Sequence, residues 1–197
     1  MAAEEGEGAG RGAGRGVSLP VRETARLETP RLILRPRRVE DADALHASYA
    51  DPDLMTYWSG PPHTDIEQTR ADFVRHASDW RAWAITLRGD DSAIGVVAAG
   101  EKRQGNVSEL GYLLARTHWR TGIAREAVSA VIDRIFAEGQ RRVFADTDSD
   151  NSSSRALLER LGFTLEGHLR GEWETHLGVR DSVIYGLLRE EWNATAA

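Results

Sequence analysis

"VSELGYLLARTHWRTGIAREAVSAVIDRIFAEG", residues 107–139, carries the decisive join of this chain. Its opening, 107–115, reads as a strand. Its close, 125–139, sets Val128, Val131, Ile132, Ile135 and Phe136 at helical spacing and stops at Gly139. Between them Gly122 and small Ala124 sit beside Arg120 and Arg125, with no acidic residue until Glu126. A glycine near a helix start is by itself more often a simple turn. The first helical turn nevertheless leaves unpaired N–H groups and a partial positive charge, and a glycine lets an anion approach them without a Cβ in the way. "WRTGIA" is therefore a candidate pyrophosphate cradle, with Arg120 and Arg125 adding charge-assisted contacts and Thr121 a hydroxyl.

Working outward, "RLILRP" (31–36) alternates as a strand and "VEDADALHASYA" (39–50) as a helix with acidic residues in its first turn. "DPDLMTYWSGPPHT" (51–64) reads as an aromatic, proline-broken loop, and "DIEQTRADFVRHASDW" (65–80) as a second helix. Strands follow at 82–88 and 92–101, joined by "GDDS". After the helix at 125–139 come a strand at 141–147, the helix "SSSRALLERL" (152–161) and strands at 163–171 and 179–188. The order β-α-α-β-β-β-α-β-α-β-β makes a mixed α+β fold, hairpins first and helical crossovers later.

With 197 residues and 41% hydrophobic composition, the chain can bury the core of one ordinary domain, here assigned to 24–193. Residues 1–23 are rich in Gly, Ala, Arg and Glu, offer little to bury and are expected to be a disordered tail. The absence of cysteine excludes disulfides and thiolate catalysis. No signal-peptide core or membrane-length apolar run occurs, so a cytoplasmic, membrane-free protein is expected. A net charge of −6 disfavours nucleic acid and mildly favours amine-bearing partners.

A second motif strengthens the first: "NSSSRALLERLGF" (151–163) follows a strand, opens a helix with Asn151 and closes with Gly-Phe. In this order and spacing the two motifs resemble those of the Gcn5-related N-acetyltransferase (GNAT) family. "WRTGIA" resembles that family's Q/R-x-x-G-x-G/A acetyl-CoA loop, with Trp119 in the Q/R place as in the branch similar to RimJ and RimL. "ETPRLILRP" and "GFTLEGHLRG" with "DSVIYGLLREEW" resemble the same branch, over roughly residues 24–192. The resemblance implies a mostly antiparallel sheet with a splayed strand pair and about four helices. It also implies acetyl-CoA as co-substrate. Main-chain groups of Leu113 and Leu114 would meet the pantetheine arm, the loop Trp119, Arg120, Thr121, Gly122, Ile123, Ala124 and Arg125 would hold the pyrophosphate, and Asn151 would lie near the thioester.

The family transfers acyl groups by direct attack of an amine on the thioester, which requires a base, a polarising donor and an acid for the departing thiolate. A backbone N–H near Leu113 suits the second role. Many members place a tyrosine acid four residues before the Gly-Phe; here that residue is Leu158, and Ser154 is the substitute. Serines near a helix start commonly bond the backbone instead. Glu109, set by strand alternation on the face of Leu113, is the candidate base, with Glu172 and Glu174 as competitors. Tyr57, Trp58 and His63 fall in the loop that would wall the acceptor site, whereas Trp80 and Trp83 read as core. "DTDSDN" (146–151) has calcium-loop spacing without its Gly and Glu, and no histidine pair has zinc spacing, so no metal is expected.

The expected activity is N-acetylation of a primary amine. The acceptor is either a protein N-terminus or a small molecule such as an antibiotic or polyamine, and the protein is a monomer or homodimer. A non-catalytic acyl-CoA sensor is the alternative.

Overall fold

A computed structural model describes residues 22–75, 80–101 and 105–195. Eight strands form one sheet: β1 (Leu27–Glu28), β2 (Leu32–Pro36), β3 (Arg81–Leu87), β4 (Ala93–Glu101), β5 (Val107–Leu114), β6 (Arg142–Asp148), β7 (Thr164–Thr175) and β8 (Gly178–Leu188). Their order is β1-β2-β3-β4-β5-β6-β8-β7. Among the described residues every pairing is antiparallel except β5 with β6. That exception is the strand–helix–strand crossover through α4 (Ile123–Ala137), because a parallel return needs a long connection.

Among the described residues six helices accompany the sheet, two more than expected: α1 (Ala42–Tyr49), α2 (Pro52–Met55), α3 (Ile66–Arg75), α4, α5 (Ser152–Arg160) and α6 (Arg189–Thr195). The extra turn α2 lies in the segment read as a broken loop. Pro52 stands at its start, where a missing N–H costs nothing, and Asp51 caps it by accepting from the N–H groups of Asp53 at 3.0 Å and Leu54 at 3.2 Å. The second expected helix is described over Ile66–Arg75 as α3; residues 76–79 lie outside the described residues, and Trp80 is not helical.

The sheet carries apolar side chains on both faces. On one, Leu110 and Leu114 of β5 join Ala127, Val131 and Ile135 of α4 and Leu158 of α5. On the other, Leu113 joins Val96, Leu45 and Tyr49 of α1 and Phe73 of α3. The alternation of Leu113 and Leu114 between these clusters is the two-residue period of a strand covered on both sides. A buried ion pair pins β2 to the start of α1: both terminal nitrogens of Arg35 bond Asp41, at 2.6 and 2.9 Å.

Residues 1–21, most of the expected tail, lie outside the described residues. Arg22, on the tail side of that boundary, is already engaged, with Nε 2.5 Å from Glu101 and Nη1 donating to the Glu138 carbonyl at 2.7 Å.

Candidate active site

The parallel pairing of β5 with β6 runs through Val107↔Arg142, Ser108↔Val143 and Glu109↔Phe144 and stops there. Yet β5 continues to Leu114 and β6 to Asp148. Beyond Glu109 and Phe144 the two strands diverge, which is the splay expected from the sequence.

Which main-chain groups of β5 face that gap follows from its register on β4. Ala115 N–H donates to the Ile94 carbonyl at 2.9 Å, so in the antiparallel ladder Val96↔Leu113 is also a hydrogen-bonded pair. The peptide groups of Leu113 are therefore turned towards β4, and those of Leu110, Tyr112 and Leu114 face the gap. This corrects the expectation for Leu113, because adjacent residues of a strand direct their peptide groups to opposite neighbours. The Leu114 carbonyl accepts from the Trp119 indole at 2.7 Å.

That bond also engages the side chain of Trp119. Its donor is spent on the end of β5 and its ring lies 5.3 Å from the Arg116 guanidinium, so its side chain braces the loop. Arg116 in turn pairs with Asp51 at 2.5 Å and Asp53 at 3.0 Å, tying this loop to α2.

Gly122 precedes α4 with φ +81°, a conformation that Cβ-bearing residues resist, and no side chain caps the helix there. Arg120 is also left-handed, with φ +61°. Arg120, Thr121, Gly122 and Arg125 are exposed, Ile123 is buried in the core, and Ala124 packs against it. The first turn is anchored from behind: Glu126 accepts from Thr29 Oγ1 at 2.5 Å, Arg31 N at 3.0 Å and Arg31 Nε at 2.6 Å, while Arg31 Nη1 donates to the Thr121 carbonyl at 2.8 Å. Burial alone would raise the Glu126 carboxyl, but these hydrogen bonds hold it below its ordinary value.

Across the gap, Asn151 caps α5, its side-chain oxygen accepting from Ser154 N–H at 3.0 Å. Leu158, in the place of the family's tyrosine acid, is fully buried in the core. A tyrosine reaches Ser154 from the opposite strand instead: Tyr112 OH lies 2.7 Å from Ser154 Oγ. Burial pushes the Tyr112 phenol up to about 12, partly offset by the Ser154 contact. Sequence reasoning missed this residue, although "GY" stands inside the strand it singled out.

A cavity of about 970 Å³ opens at the splay, and its walls include Glu109, Tyr112, Leu113, Asn151 and Ser154. Tyr57 and Trp58 line it, and so does Trp80, a residue expected in the core; Trp80 lies against Gly100. Trp83 is core, fully buried. His63 stacks on Tyr49 at 5.3 Å and shares the Thr69 hydroxyl with His46, each at 2.9 Å. Of the competing carboxylates, Glu172 and Glu174 are exposed. Trp173 and Thr175 of β7 line the cavity, so strand alternation turns Glu174 between them away, and Glu172 lies in the irregularity between Leu169 and Trp173. The lining holds five carboxylates, at positions 72, 109, 146, 148 and 181, against the guanidinium groups of Arg37 and Arg180. Arg180 is itself taken by Asp148 at 2.8 Å and Asp150 at 2.9 Å. Asp146 accepts from Ser182 and Trp173, so the calcium-like spacing is used for strand-to-strand bonds.

Residues 31–164 match the family description "Acetyltransferase (GNAT) domain". The uncharacterized N-acetyltransferase p20 of Bacillus licheniformis is 33% identical over 174 residues, covering 84% of this chain and 97% of that protein. Two solved structures share the fold. RimL, a ribosomal alpha-N-protein acetyltransferase in complex with coenzyme A, has a TM-score of 0.72 at 21% identity over 83% of this chain and 98% of its own. The spermidine N-acetyltransferase of Vibrio cholerae, in complex with CoA and spermine, has a TM-score of 0.73 at 21% identity over 84% and 99%.

Proposed function

The chain belongs to the GNAT acetyltransferase family, and on that premise we propose that it acetylates a primary amine from acetyl-CoA bound along the β5–β6 gap. The observation that carries this reading is the end of β5–β6 pairing at Glu109 and Phe144, which leaves gap-facing peptide groups opposite Asn151 and Ser154. The pantetheine arm would bond the gap-facing edge of β5 at the Tyr112 peptide and the Leu114 N–H. The pyrophosphate would rest on the uncapped first turn of α4 at Gly122, Ile123 and Ala124, with Arg120, Thr121 and Arg125 exposed beside it. RimL and the spermidine enzyme, both solved with CoA, have this fold and support CoA as the co-substrate.

In the reaction the amine nitrogen bonds the thioester carbon and the carbon–sulfur bond breaks with its electron pair on sulfur. Glu109 takes the proton shed by the amine, directly or through water. The Tyr112 N–H, facing the gap, donates to the carbonyl oxygen as charge develops there. Ser154 Oγ–H donates to the departing sulfur. No step needs a covalent enzyme intermediate, in keeping with a chain that has no cysteine.

The acceptor enters on the side walled by Tyr57, Trp58 and Trp80, and the carboxylate excess of the lining favours a cationic amine. Protein N-termini and small amines both satisfy that chemistry, and the two named neighbours use one of each kind. A panel of N-terminal peptides, polyamines and aminoglycosides, read by release of free CoA thiol, tests the proposal. Transfer to at least one class is expected; tight acetyl-CoA binding with no CoA release for any amine would favour a sensor and contradict it.

A further inference from the structure

We propose that Tyr112 is a positioning residue, whose phenol donates to Ser154 Oγ and thereby leaves the serine's own O–H free to point at the thioester sulfur. This rests on the reading above, in which Ser154 meets the departing thiolate.

The geometry suits a phenol that donates to the serine. Its oxygen lies 2.7 Å from Ser154 Oγ and 3.4 Å from the Ser154 carbonyl, the second at the far end of hydrogen-bond range. A hydroxyl between two oxygens donates to the nearer one. Burial keeps the phenol protonated throughout the neutral range, so it has a proton to donate. The serine is fixed from the other side as well, because its N–H is committed to Asn151 Oδ1 at 3.0 Å.

Left alone, a serine in the first turn of a helix rotates its hydroxyl towards its own backbone carbonyls and spends its proton there. A donor arriving at Oγ from β5 occupies a lone pair, and the proton is then directed elsewhere. Both Tyr112 and Ser154 line the cavity at the splay, so elsewhere includes the gap. The chain of donors, phenol to hydroxyl to sulfur, also polarises each bond along it. Tyr112 thus contributes twice from one position, its main-chain N–H facing the carbonyl oxygen and its side chain orienting the group that faces the sulfur. The arrangement replaces the tyrosine that Leu158 cannot supply from α5.

A double-mutant cycle on kcat tests this, with melting temperatures confirming that each variant is folded. Tyr112→Phe removes only the hydroxyl and should lower kcat roughly five- to tenfold, the scale of one neutral hydrogen bond, with the KM for acetyl-CoA unchanged. Ser154→Ala should lower kcat at least as much. In the Ser154→Ala background, Tyr112→Phe should change kcat by less than about twofold, because the group it orients is gone. If Tyr112→Phe costs the same factor in both backgrounds while the parent chain transfers acetyl, the inference is overturned and the reading of the site survives. If the parent chain transfers acetyl to no amine, both fall together.

Discussion

Gly111 offers the sharpest perturbation of the cavity. It lies in β5 between Glu109 and Leu113 and lines the cavity, and a Cβ built on it meets no heavy atom within 4 Å. Its backbone is not in the left-handed region and pairs in register with Ala98, so a branched side chain suits the strand there. Gly111→Val should therefore leave the fold intact. Replacing a strand glycine typically gains about 0.5–1 kcal/mol, which for a domain of this size raises the melting temperature by about 1–4 °C. The isopropyl group, however, enters the space beside Glu109 that the amine must cross. Crowding on the scale of an overpacked core, about 1–3 kcal/mol, lowers kcat/KM for the amine roughly five- to 150-fold. Acetyl-CoA affinity, measured by calorimetry, should change much less. The assays are a thermal melt and steady-state kinetics on the same preparation. Unchanged kcat/KM in a folded variant would mean that the acceptor does not pass Gly111, and a melt lowered by several degrees would mean that the space is already filled.

Glu109→Gln keeps the shape of the carboxylate and removes its basicity, so turnover with an amine should fall by about a hundredfold or more while acetyl-CoA binding barely changes; near-normal turnover with an unaltered pH–rate profile would remove Glu109 from the mechanism. At Gly122, Val would have to adopt φ +81° and should cost about 1–2 kcal/mol of stability. Asn tolerates that conformation, so Gly122→Asn should stay folded yet weaken CoA binding by calorimetry, and undiminished affinity would take the loop out of the site. Glu126 titrates below its ordinary value of 4.5 in the folded chain, so its contribution to stability is present above about that pH and is lost as pH falls towards the folded value. Glu126→Gln should accordingly be less stable than the parent near neutrality and lose less stability on acidification, as urea melts between pH 3 and 7 would show.

Much of this was legible in the sequence because its signals are local. Val128, Val131, Ile132 and Ile135 announce α4 by their spacing, and all four are buried against the sheet. Gly122 was legible as a special backbone position, although its left-handed φ was not. Non-local geometry was not legible. Whether Leu113 or Tyr112 presents its peptide to the gap depends on the register of β5 against β4, which no single strand encodes. The Tyr112–Ser154 contact joins residues 42 positions apart, and nothing in either segment announces the other. The hairpin of β7 and β8 is longer than expected because Gly171, with φ +61°, looks like a stop but sits in an irregularity that the strand runs through. The orientation of Glu174 away from the cavity follows from that same continuation.

Direct transfer within the splayed gap is most plainly tested by mass spectrometry of both partners in one reaction. The chain is incubated with acetyl-CoA alone, and then with an amine that the acceptor panel has identified. The expected result is a protein mass that stays unmodified throughout, and an amine that gains one acetyl group for each free CoA released. A protein that carries an acetyl adduct before the amine arrives and loses it afterwards would contradict direct attack, and CoA released without any acetylated amine would contradict N-acetylation of that acceptor.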